Sequence, residues 1–389
     1  MEEQFVIFEV KSGEPTRGDF GFDTAAEEPP EVAVHVETLG PAAAADAKQN
    51  PQQIIARELP TKLLKPVSVE ETAQPAAAGV CWGIEAVGAN QSPFTGSGIK
   101  VAVLDTGVDA EHPAFQGLQV TQRDFTGEGD GDEHGHGTHC AGTIVGRDVS
   151  GFRFGVAPGV TELFAGKVLG RDGGTTLAIA QGVHWAVDSG ANVISMSLGI
   201  DFPGAVERFV RQGMQVQPAT SRALEAYREN LRLFDAIAEY VRANAAFGRS
   251  ALIVAATGNE SERTAADPYT IGVAPPAAAE GFIAVGAVGQ EAGGGLGIAR
   301  FSNAGAHVVA PGVDIPSAKP GGGFVQMSGT SMATPHAAGV AALWAEKLVG
   351  SVGRLDPRDL TGRLTGNSQS LAGLLSDDMG SGLVTAPLA

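Results

Sequence analysis

Cysteine, aromatic residues and positive charge are all scarce in this 389-residue chain. Its two cysteines cannot form a disulfide framework or, by themselves, a four-ligand zinc site. Twenty-six basic residues face 44 acidic ones, and the resulting net charge of −18 argues against nucleic acid or an anionic membrane as the main partner. Apolar runs stay short of the roughly 18 residues that a membrane span needs. What remains is a globular chain, long enough to bury a large core in one or two domains.

The first residues do not resemble a secretory signal. Met1–Gln4 is acidic where a signal would be basic, and the apolar run Phe5–Val10 is too short for a signal's hydrophobic region. We therefore expect a cytoplasmic protein. Secretion would be expected instead if a native leader preceded the sequence given.

Residues 1–65 differ from the rest of the chain in composition and in their predicted secondary structure. Strands are predicted over Phe5–Val10 and Glu31–Val36, with connectors rich in Pro, Ala and Glu at 23–30 and 41–51. We interpret this part as a small α+β segment. Residues 66–96 are then a linker, most clearly at 67–80, and an N-terminal arm of the domain at 97–389.

From about Gly98, short apolar strands alternate with helical patterns. The predicted strands are Ile99–Leu104, Leu163–Leu169, Asn192–Leu198, Ala251–Ala256 and Phe282–Val288. The predicted helices are Thr138–Val145, Thr176–Asp188 and Thr334–Leu348. This alternation indicates an α/β fold with a mainly parallel sheet covered by helices on both faces. Sites in such folds gather at the carboxyl ends of the strands.

A polar helical insert is predicted at about 201–250. Apolar residues recur there at spacings of three and four, so one helical face should pack on the body. The residues of that face are Leu224, Tyr227, Leu231, Phe234, Ile237 and Val241.

Four polar residues lie at the strand ends and helix starts where such a fold places its reactive side chains. Asp105 and Asn259 each follow an apolar strand, and His136 lies between two glycines just before a helix. Ser331 opens a long apolar run, where unpaired N–H groups and the positive helix end favour negative charge. Taken singly, each residue has a plainer interpretation, such as a helix cap or a turn. Asp109, beyond the first turn, is a weaker candidate than Asp105.

A metal site is a competing interpretation of the histidine-rich stretch. His134, His136 and His139 lie close to acidic side chains, but no HExxH or CxxC spacing accompanies them. The acidic candidates are Asp130, Asp132 and Glu133. We expect His134 to be a loop residue and His139 to be structural.

Together, the Asp, His, Ser order and the Asn resemble the subtilisin-like serine proteases, or subtilases. The resemblance covers roughly residues 80–389 and implies the three-layer αβα fold of that family, preceded by a propeptide-like α+β segment. The matching segments are Val103-Leu104-Asp105-Thr106-Gly107, His136-Gly137-Thr138-His139, Ser195-Met196-Ser197-Leu198-Gly199, Gly258-Asn259 and Gly329-Thr330-Ser331-Met332-Ala333-Thr334-Pro335-His336.

The resemblance implies a role for each residue. Ser331 would attack a peptide carbonyl, His136 would carry the proton, and Asp105 would orient the imidazole. Asn259 and the Ser331 backbone N–H would hold the oxyanion. Thr330 would assist Asn259 indirectly or cap the helix.

Substrate-binding residues are also implied. An extended polypeptide substrate would pair between two strands, and a small apolar wall at Ala255–Thr257 would favour a large apolar residue before the cut. Glu260, at the rim, would alternatively admit a basic residue there. The implied substrate-binding residues are Gly173, Gly174, Thr175, Ser197, Leu198, Gly199, Ala256 and Gly258.

The chain departs from the family at its usual calcium site. The family's aspartate after His-Pro is here Ala114, and the loop at 147–153 lacks the usual asparagine. Calcium takes about 6–8 oxygen ligands, so we expect no ion there and no cofactor for the chemistry. The acidic loop Asp124–Glu133 is expected to be a solvated loop, with calcium binding as the alternative.

The N-terminal segment stands where the family carries its propeptide. The resemblance implies a self-processed zymogen in which Gln52–Pro66 reaches the cleft as an intramolecular inhibitor and is cut within 60–80. A plain structural arm is the alternative. An esterase or ligase using the same triad, and a silent scaffold with the same fold, remain alternatives for the whole chain.

Overall fold

The computed structural model of the chain describes residues 2–11, 28–72 and 78–388. Most of the connector predicted at 23–30 therefore lies outside the described residues. No helix within the described ranges is long and apolar enough to cross a membrane.

The N-terminal residues form a small antiparallel sheet with one helix. Both predicted strands are confirmed, with β1 at the centre of the order β2-β1-β3. The connector prediction for 41–51 is wrong, because this alanine-rich stretch forms a helix with Pro41 in its first turn, where a proline costs nothing. The elements are β1 (Glu3–Val10), β2 (Val32–Leu39), α1 (Pro41–Ala47) and β3 (Gln53–Arg57).

The segment that follows is extended and paired. Part of the linker predicted at 67–80 is a strand, because residues 68–72 pair in register, antiparallel, with residues 324–328. Sequence pattern alone could not reveal a partner some 250 positions away. The elements are β4 (Pro60–Leu63), β5 (Ser68–Thr72), β6 (Gly79–Val80) and α2 (Trp82–Ala86).

The remaining residues form the body of the fold, in which all five predicted strands and all three predicted helices appear. The helix at Thr176–Asp188 has its predicted bounds, and the other elements have shifted ends. The elements are β7 (Lys100–Asp105), β8 (Gln119–Asp124), α3 (His136–Val145), β9 (Phe152–Arg153), β10 (Glu162–Lys167), β11 (Leu169–Gly170), β12 (Gly173–Thr175), α4 (Thr176–Asp188), β13 (Val193–Met196), β14 (Leu198–Ile200), α5 (Phe202–Arg211), α6 (Val216–Asn244), β15 (Leu252–Ala256), β16 (Phe282–Gln290), β17 (Leu296–Ile298), β18 (Val308–Pro311), β19 (Ile315–Ala318), β20 (Phe324–Ser328), α7 (Thr330–Val352), α8 (Pro357–Gly366) and α9 (Ser376–Met379).

The central sheet has the order β17-β16-β15-β13-β7-β10-β8, with β18 also paired to β16. Its ladders are parallel except where β17 pairs with β16. Successive side chains along a strand point to opposite faces. In β7, Val101 and Val103 pack with α3 and α7, whereas Ala102 and Leu104 pack with α4 and α6. The structure therefore has the predicted three layers.

Helix α6 packs differently from the prediction. Phe234, Ile237 and Val241 are buried as expected, but Leu224 is 51% exposed. The first half of the helix instead buries alanines, among them Ala219 and Ala223. These small side chains let the helix approach β3 and its sheet, which packs across α4 and α6.

Candidate active site

Asp105 and His136 meet at the carboxyl end of β7. His136 Nδ1 donates to Asp105 Oδ1 over 2.8 Å, and the backbone N–H of Thr106 donates to the same oxygen over 2.8 Å. Both side chains are almost fully buried, with Asp105 1% exposed and His136 0% exposed. Burial alone would lower the pKa of His136, but the adjacent Asp105 carboxylate outweighs it and raises that pKa well above its ordinary value.

His136 is the first residue of α3, whereas the sequence predicts that it lies just before the helix. Gly137 permits the close approach of this helix to β7, because a Cβ there would lie 2.1 Å from the carbonyl oxygen of Gly107. The backbone N–H of Gly137 donates to Thr106 Oγ1 over 2.9 Å. The helix start and the strand end are thus held together as one unit.

Asp132 links the helix start to the strand end. The sequence indicates this residue only as a candidate metal ligand. Its Oδ1 accepts a hydrogen bond from Thr106 Oγ1 over 2.8 Å, and its Oδ2 accepts from the N–H and hydroxyl of Thr138 over 2.8 and 2.7 Å. Its carboxylate is therefore committed to the loop and helix that carry the two reactive residues. Its position three residues before Gly135, at a helix start, was the signal that could have revealed this role.

Ser331 lies in the first turn of α7, which begins at Thr330, before the predicted start at Thr334. The Ser331 hydroxyl donates to the carbonyl oxygen of Leu64 over 3.0 Å. Among the described residues, His136 Nε2 has no hydrogen-bond partner. In the intact chain the serine hydroxyl is therefore turned toward the N-terminal segment, and not bonded to the histidine.

Asn259 follows β15 and faces both Ser331's helix and the N-terminal segment. Its Nδ2 donates to the carbonyl oxygens of Leu64 and Lys65, at 3.5 and 3.2 Å. Its Oδ1 accepts from the N–H and the hydroxyl of Thr330. Thr330 itself does not cap α7: the N-cap position is its neighbour Gly329, and the Asn259 side chain accepts from the first N–H.

The segment β4 lies between two strands that the sequence assigned to substrate binding. It pairs antiparallel with β12 on one side, where Thr61 faces Gly174 and Pro60 faces Thr175. On the other side it pairs antiparallel with β14, where Leu63 faces Leu198 and Lys62 faces Gly199. The predicted approach of Gln52–Pro66 to the cleft is thus found in the structure.

Beyond Leu64 the same segment continues across the cleft. The Val67 N–H donates to the Ser328 carbonyl oxygen over 2.7 Å, just before β5 pairs with β20. Chain on both sides of Leu64 is therefore held by backbone bonds. Such bonds to an extended peptide give affinity without depending on its side chains.

Leu64 packs its side chain against Gly199. It is 2% exposed, and a Cβ built on Gly199 would lie 3.2 Å from Leu64 Cδ2. An apolar side chain is thus buried beside Gly199, one of the predicted substrate-binding residues. Glu260, the alternative contact for a basic residue at that position, instead pairs with Lys62.

Of the other predicted binding residues, Ser197 and Gly258 bond to the first turn of α7, and Gly173 approaches the segment. Ser197 donates its hydroxyl to the Ser331 carbonyl oxygen over 3.2 Å. The Gly258 N–H donates to Thr330 Oγ1 over 3.3 Å, and Ala256 is buried at the end of β15. Gly173, at the edge of β12, would bring a Cβ to 2.5 Å from the Thr61 carbonyl oxygen.

The metal interpretation of the histidine stretch finds little support. Among described residues, the one cluster of potential ligands is Asp105, His136 and Cys140, which is the site itself. His139 is fully buried, its Nε2 donates to the Ile315 carbonyl oxygen, and burial lowers its pKa to about 3. It is therefore a neutral core residue. Cys81 and Cys140 are both free and buried.

At the family's usual calcium position, the loop is bonded to other parts of the protein. Ala114 offers only a methyl group, and its carbonyl oxygen accepts from the Arg147 N–H over 2.9 Å. The Arg147 guanidinium donates to the carbonyl oxygens of Gly117 and Val160, each at 3.4 Å. These contacts hold the positive charge of Arg147 at this loop, whereas calcium takes oxygen ligands.

In the acidic loop at 124–133, several carboxylates form hydrogen bonds or ion pairs with other groups of the protein. Asp124 accepts from the N–H groups of Thr126 and Gly129, each over 2.7 Å. Glu133 pairs with Arg171. Those contacts favour the expected solvated loop over a calcium site.

Comparison with known proteins agrees with this geometry. Residues 96–380 match the family model described as the subtilase family. Subtilisin BL and Subtilisin Savinase, both of Lederbergia lenta, are each 38% identical over 278 residues, which is 70% of this chain and 86% of theirs. The intracellular serine protease of Paenibacillus polymyxa is 36% identical over 257 residues, which is 64% of this chain and 67% of its own.

Proposed function

Because the chain belongs to the subtilase family of serine proteases, we propose that it cleaves polypeptides through Ser331, His136 and Asp105. Serine endopeptidase activity follows from the family. The assignment of each step to a residue, and the self-processing described below, are our proposal.

In the proposed reaction, the Ser331 hydroxyl turns from the peptide to His136 Nε2, which accepts its proton as Oγ attacks the scissile carbonyl carbon. Asp105 holds Nδ1–H over 2.8 Å and so fixes the tautomer that leaves Nε2 free to act as the base. The charge that develops on His136 is stabilised by the same carboxylate. The raised pKa of His136 is the signature of that stabilisation.

Two hydrogen-bond donors would stabilise the negative charge that develops on the carbonyl oxygen. Asn259 Nδ2 already reaches the carbonyl oxygens around the Leu64–Lys65 bond. The Ser331 N–H lies in the first turn of α7, where N–H groups lack intrahelical acceptors. Such donors act most strongly when they are fixed before the reaction. His136 then protonates the leaving amine, and water hydrolyses the Ser331 ester by the reverse sequence of proton transfers.

The observation that carries this proposal is the Leu64 carbonyl oxygen, which lies 3.0 Å from Ser331 Oγ and directly follows a strand bound antiparallel on both sides. A peptide carbonyl thus lies beside the predicted nucleophile and the predicted oxyanion donor at once. The Leu64 side chain in its pocket supports a preference for an apolar residue immediately before the cut.

We further propose that the intact chain is a zymogen that cuts itself after Leu64. Until the cut, residues 60–67 fill the cleft and exclude other peptides. After the cut, the N-terminal sheet would remain as an inhibitor for as long as it stays packed on α4 and α6.

We also propose that the loop at 147–153 needs no calcium, because Arg147 donates to carbonyl oxygens beside Ala114. Chelation with EDTA should then leave the thermal midpoint of the Ser331→Ala chain unchanged. A fall of several degrees that is restored by calcium alone would contradict this.

Labelling with a fluorophosphonate tests the catalytic assignment. After incubation of the full chain, mass spectrometry should find the label on Ser331, and His136→Ala should abolish it. The fully buried His139 offers a neighbouring control, and His139→Gln should retain labelling in the folded fraction. Absence of label in processed wild-type protein would overturn the assignment and favour a scaffold.

A further inference from the structure

Two carboxylates converge on one lysine at the rim of the cleft. Lys62 Nζ lies 3.2 Å from Asp201 Oδ1 and 3.5 Å from Glu260 Oε1. The three side chains are between 31% and 38% exposed. The two acids come from separate parts of the body, Asp201 just after β14 and Glu260 just after Asn259, whereas Lys62 belongs to the segment in the cleft.

The register of β4 fixes where Lys62 stands relative to the proposed cut. Lys62 faces Gly199, Leu63 faces Leu198, and the next carbonyl, that of Leu64, accepts from Ser331 Oγ. Lys62 is therefore the third residue before the bond, counting Leu64 as the first. A polypeptide substrate bound in the same register would present its own third residue to Asp201 and Glu260.

We propose that Asp201 and Glu260 form a binding site for a basic residue at the third position before the cut. The proposal rests on the proposed function, since it takes the cut to follow Leu64. It adds a substrate class: peptides with an apolar residue at the cut and a lysine or arginine two residues earlier.

Both acids are fixed in place by other contacts. Asp201 is the N-cap residue of α5, and its Oδ1 accepts from the Gly204 N–H over 3.3 Å. Glu260 Oε2 accepts from Asn303 Nδ2 over 2.8 Å, which leaves Oε1 for the lysine. A neutral third residue would leave both charges solvated, whereas an acidic one would be repelled. The site therefore discriminates by charge.

The test uses the full chain, incubated until processing is complete, and three synthetic peptides. They share the sequence Thr-Xaa-Leu-Leu before the cut, with Lys, Gln or Glu at Xaa. Exposed ion pairs are weak, so we expect kcat/KM to favour Lys over Gln by only about 3- to 10-fold, with Glu below Gln. Because salt screens exposed charges, the preference should shrink in 1 M salt.

Variants assign the preference to the two acids. Asp201→Asn, which keeps its bond to the Gly204 N–H, should reduce the Lys-to-Gln ratio by at least half. Asp201→Lys should reverse the order of the Lys and Glu peptides. The ratio is independent of how much protein has folded. Asp359→Asn, which removes an exposed acid on α8, should leave it unchanged.

The outcomes separate this inference from the proposed function. If the Gln peptide is cut after Leu but Lys gives no advantage, or if Asp201→Asn keeps the full preference, the inference is wrong and the protease assignment stands. If none of the peptides is cut by processed protein, the proposed function itself fails.

Discussion

Thr330 donates both its backbone N–H and its hydroxyl to Asn259 Oδ1, each over 2.8 Å. An amide that accepts on its oxygen is oriented with its NH₂ group on the other side, and here that side faces the carbonyl oxygens of the segment in the cleft. The residue before the nucleophile therefore aims the proposed oxyanion donor. Substitutions at the two residues should have graded effects on the same step.

Asn259→Ala should lower kcat by about 10²–10³-fold, as is typical when one oxyanion donor is removed. Thr330→Val removes one of the two bonds that aim the amide, and we expect a fall of about 3- to 10-fold in kcat with little change in KM, by analogy with a single neutral hydrogen bond. Thr334→Val is the matched control, because its hydroxyl bonds only to the Thr330 carbonyl oxygen within the part of the chain that the structure describes. Equal losses from both threonines would contradict the orienting role.

Gly199→Ala tests whether Leu64 marks the pocket that selects the residue before the cut. The added methyl would lie 3.2 Å from Leu64 Cδ2, so the pocket should shrink by about one methyl group. We expect kcat/KM to fall about 10-fold for peptides with Leu at the cut and less for peptides with Ala there. Gly350→Ala, where the added methyl meets nothing, should change neither. A uniform loss on both peptides would place the pocket elsewhere.

Glu229 holds the N-terminal segment on α6. Its carboxylate is 9% exposed and accepts from the backbone N–H of Arg57 over 3.1 Å and from its guanidinium over 2.8 Å. Glu229→Gln should weaken this contact by about 1–3 kcal/mol, since a buried charge-assisted pairing is lost. Activity should then appear about 5- to 150-fold sooner after the cut.

The neighbouring Glu225 provides the control for that prediction. It pairs with the same arginine at 3.6 Å, but its side chain is 59% exposed, so Glu225→Gln should have little effect. The measurement is the delay between cleavage on a gel and hydrolysis of a peptide substrate. An equal delay in wild-type and Glu229→Gln protein would show that this contact does not set the release of the segment.

Two buried histidines should make the fold sensitive to acid. Burial lowers the pKa of His139 to about 3 and that of His336 to about 4, from an ordinary value of 6.5. Between pH 6.5 and 4 the unfolded chain binds protons at these residues and the folded chain does not, so stability falls as pH falls. Each contributes about 2 kcal/mol of lost stability at pH 5.

Urea unfolding of the inactive Ser331→Ala chain at pH 8 and pH 5 measures this loss. His139→Gln should reduce the difference between the two pH values, whereas His35→Gln should not, because His35 is exposed and paired with Glu37. His136 acts in the opposite direction, since its raised pKa contributes stability below pH 6.5 that is lost as pH rises. A His139→Gln variant with the wild-type difference would contradict the assignment.

The sequence was informative where local pattern and chemistry coincide. The strand before Asp105 reads as a buried parallel strand, and the order of Asp105, His136 and Ser331 is specific enough to predict the family. By contrast, the place of β4 between β12 and β14 depends on pairings more than 100 residues apart. Nothing in the polar stretch around Lys62 signals its two carboxylate partners.

The helix starts show a different limit. The sequence predicts that α7 starts at Thr334, four residues after its observed start at Thr330, because a serine or threonine near a helix start resembles a cap. The structure supplies the cap from Asn259, which is 71 residues away in sequence. Local helix propensity cannot predict such a distant partner. For that reason the sequence pattern indicates Thr330 as a cap.

We propose that Ser331 cuts this chain after Leu64. N-terminal sequencing of the purified full chain and its Ser331→Ala variant, incubated side by side, tests it most directly. We predict a new N-terminus at Lys65 in the wild-type protein and none in the variant. Identical processing of the two proteins would contradict self-cleavage by Ser331. A wild-type chain that stays intact would contradict it as well.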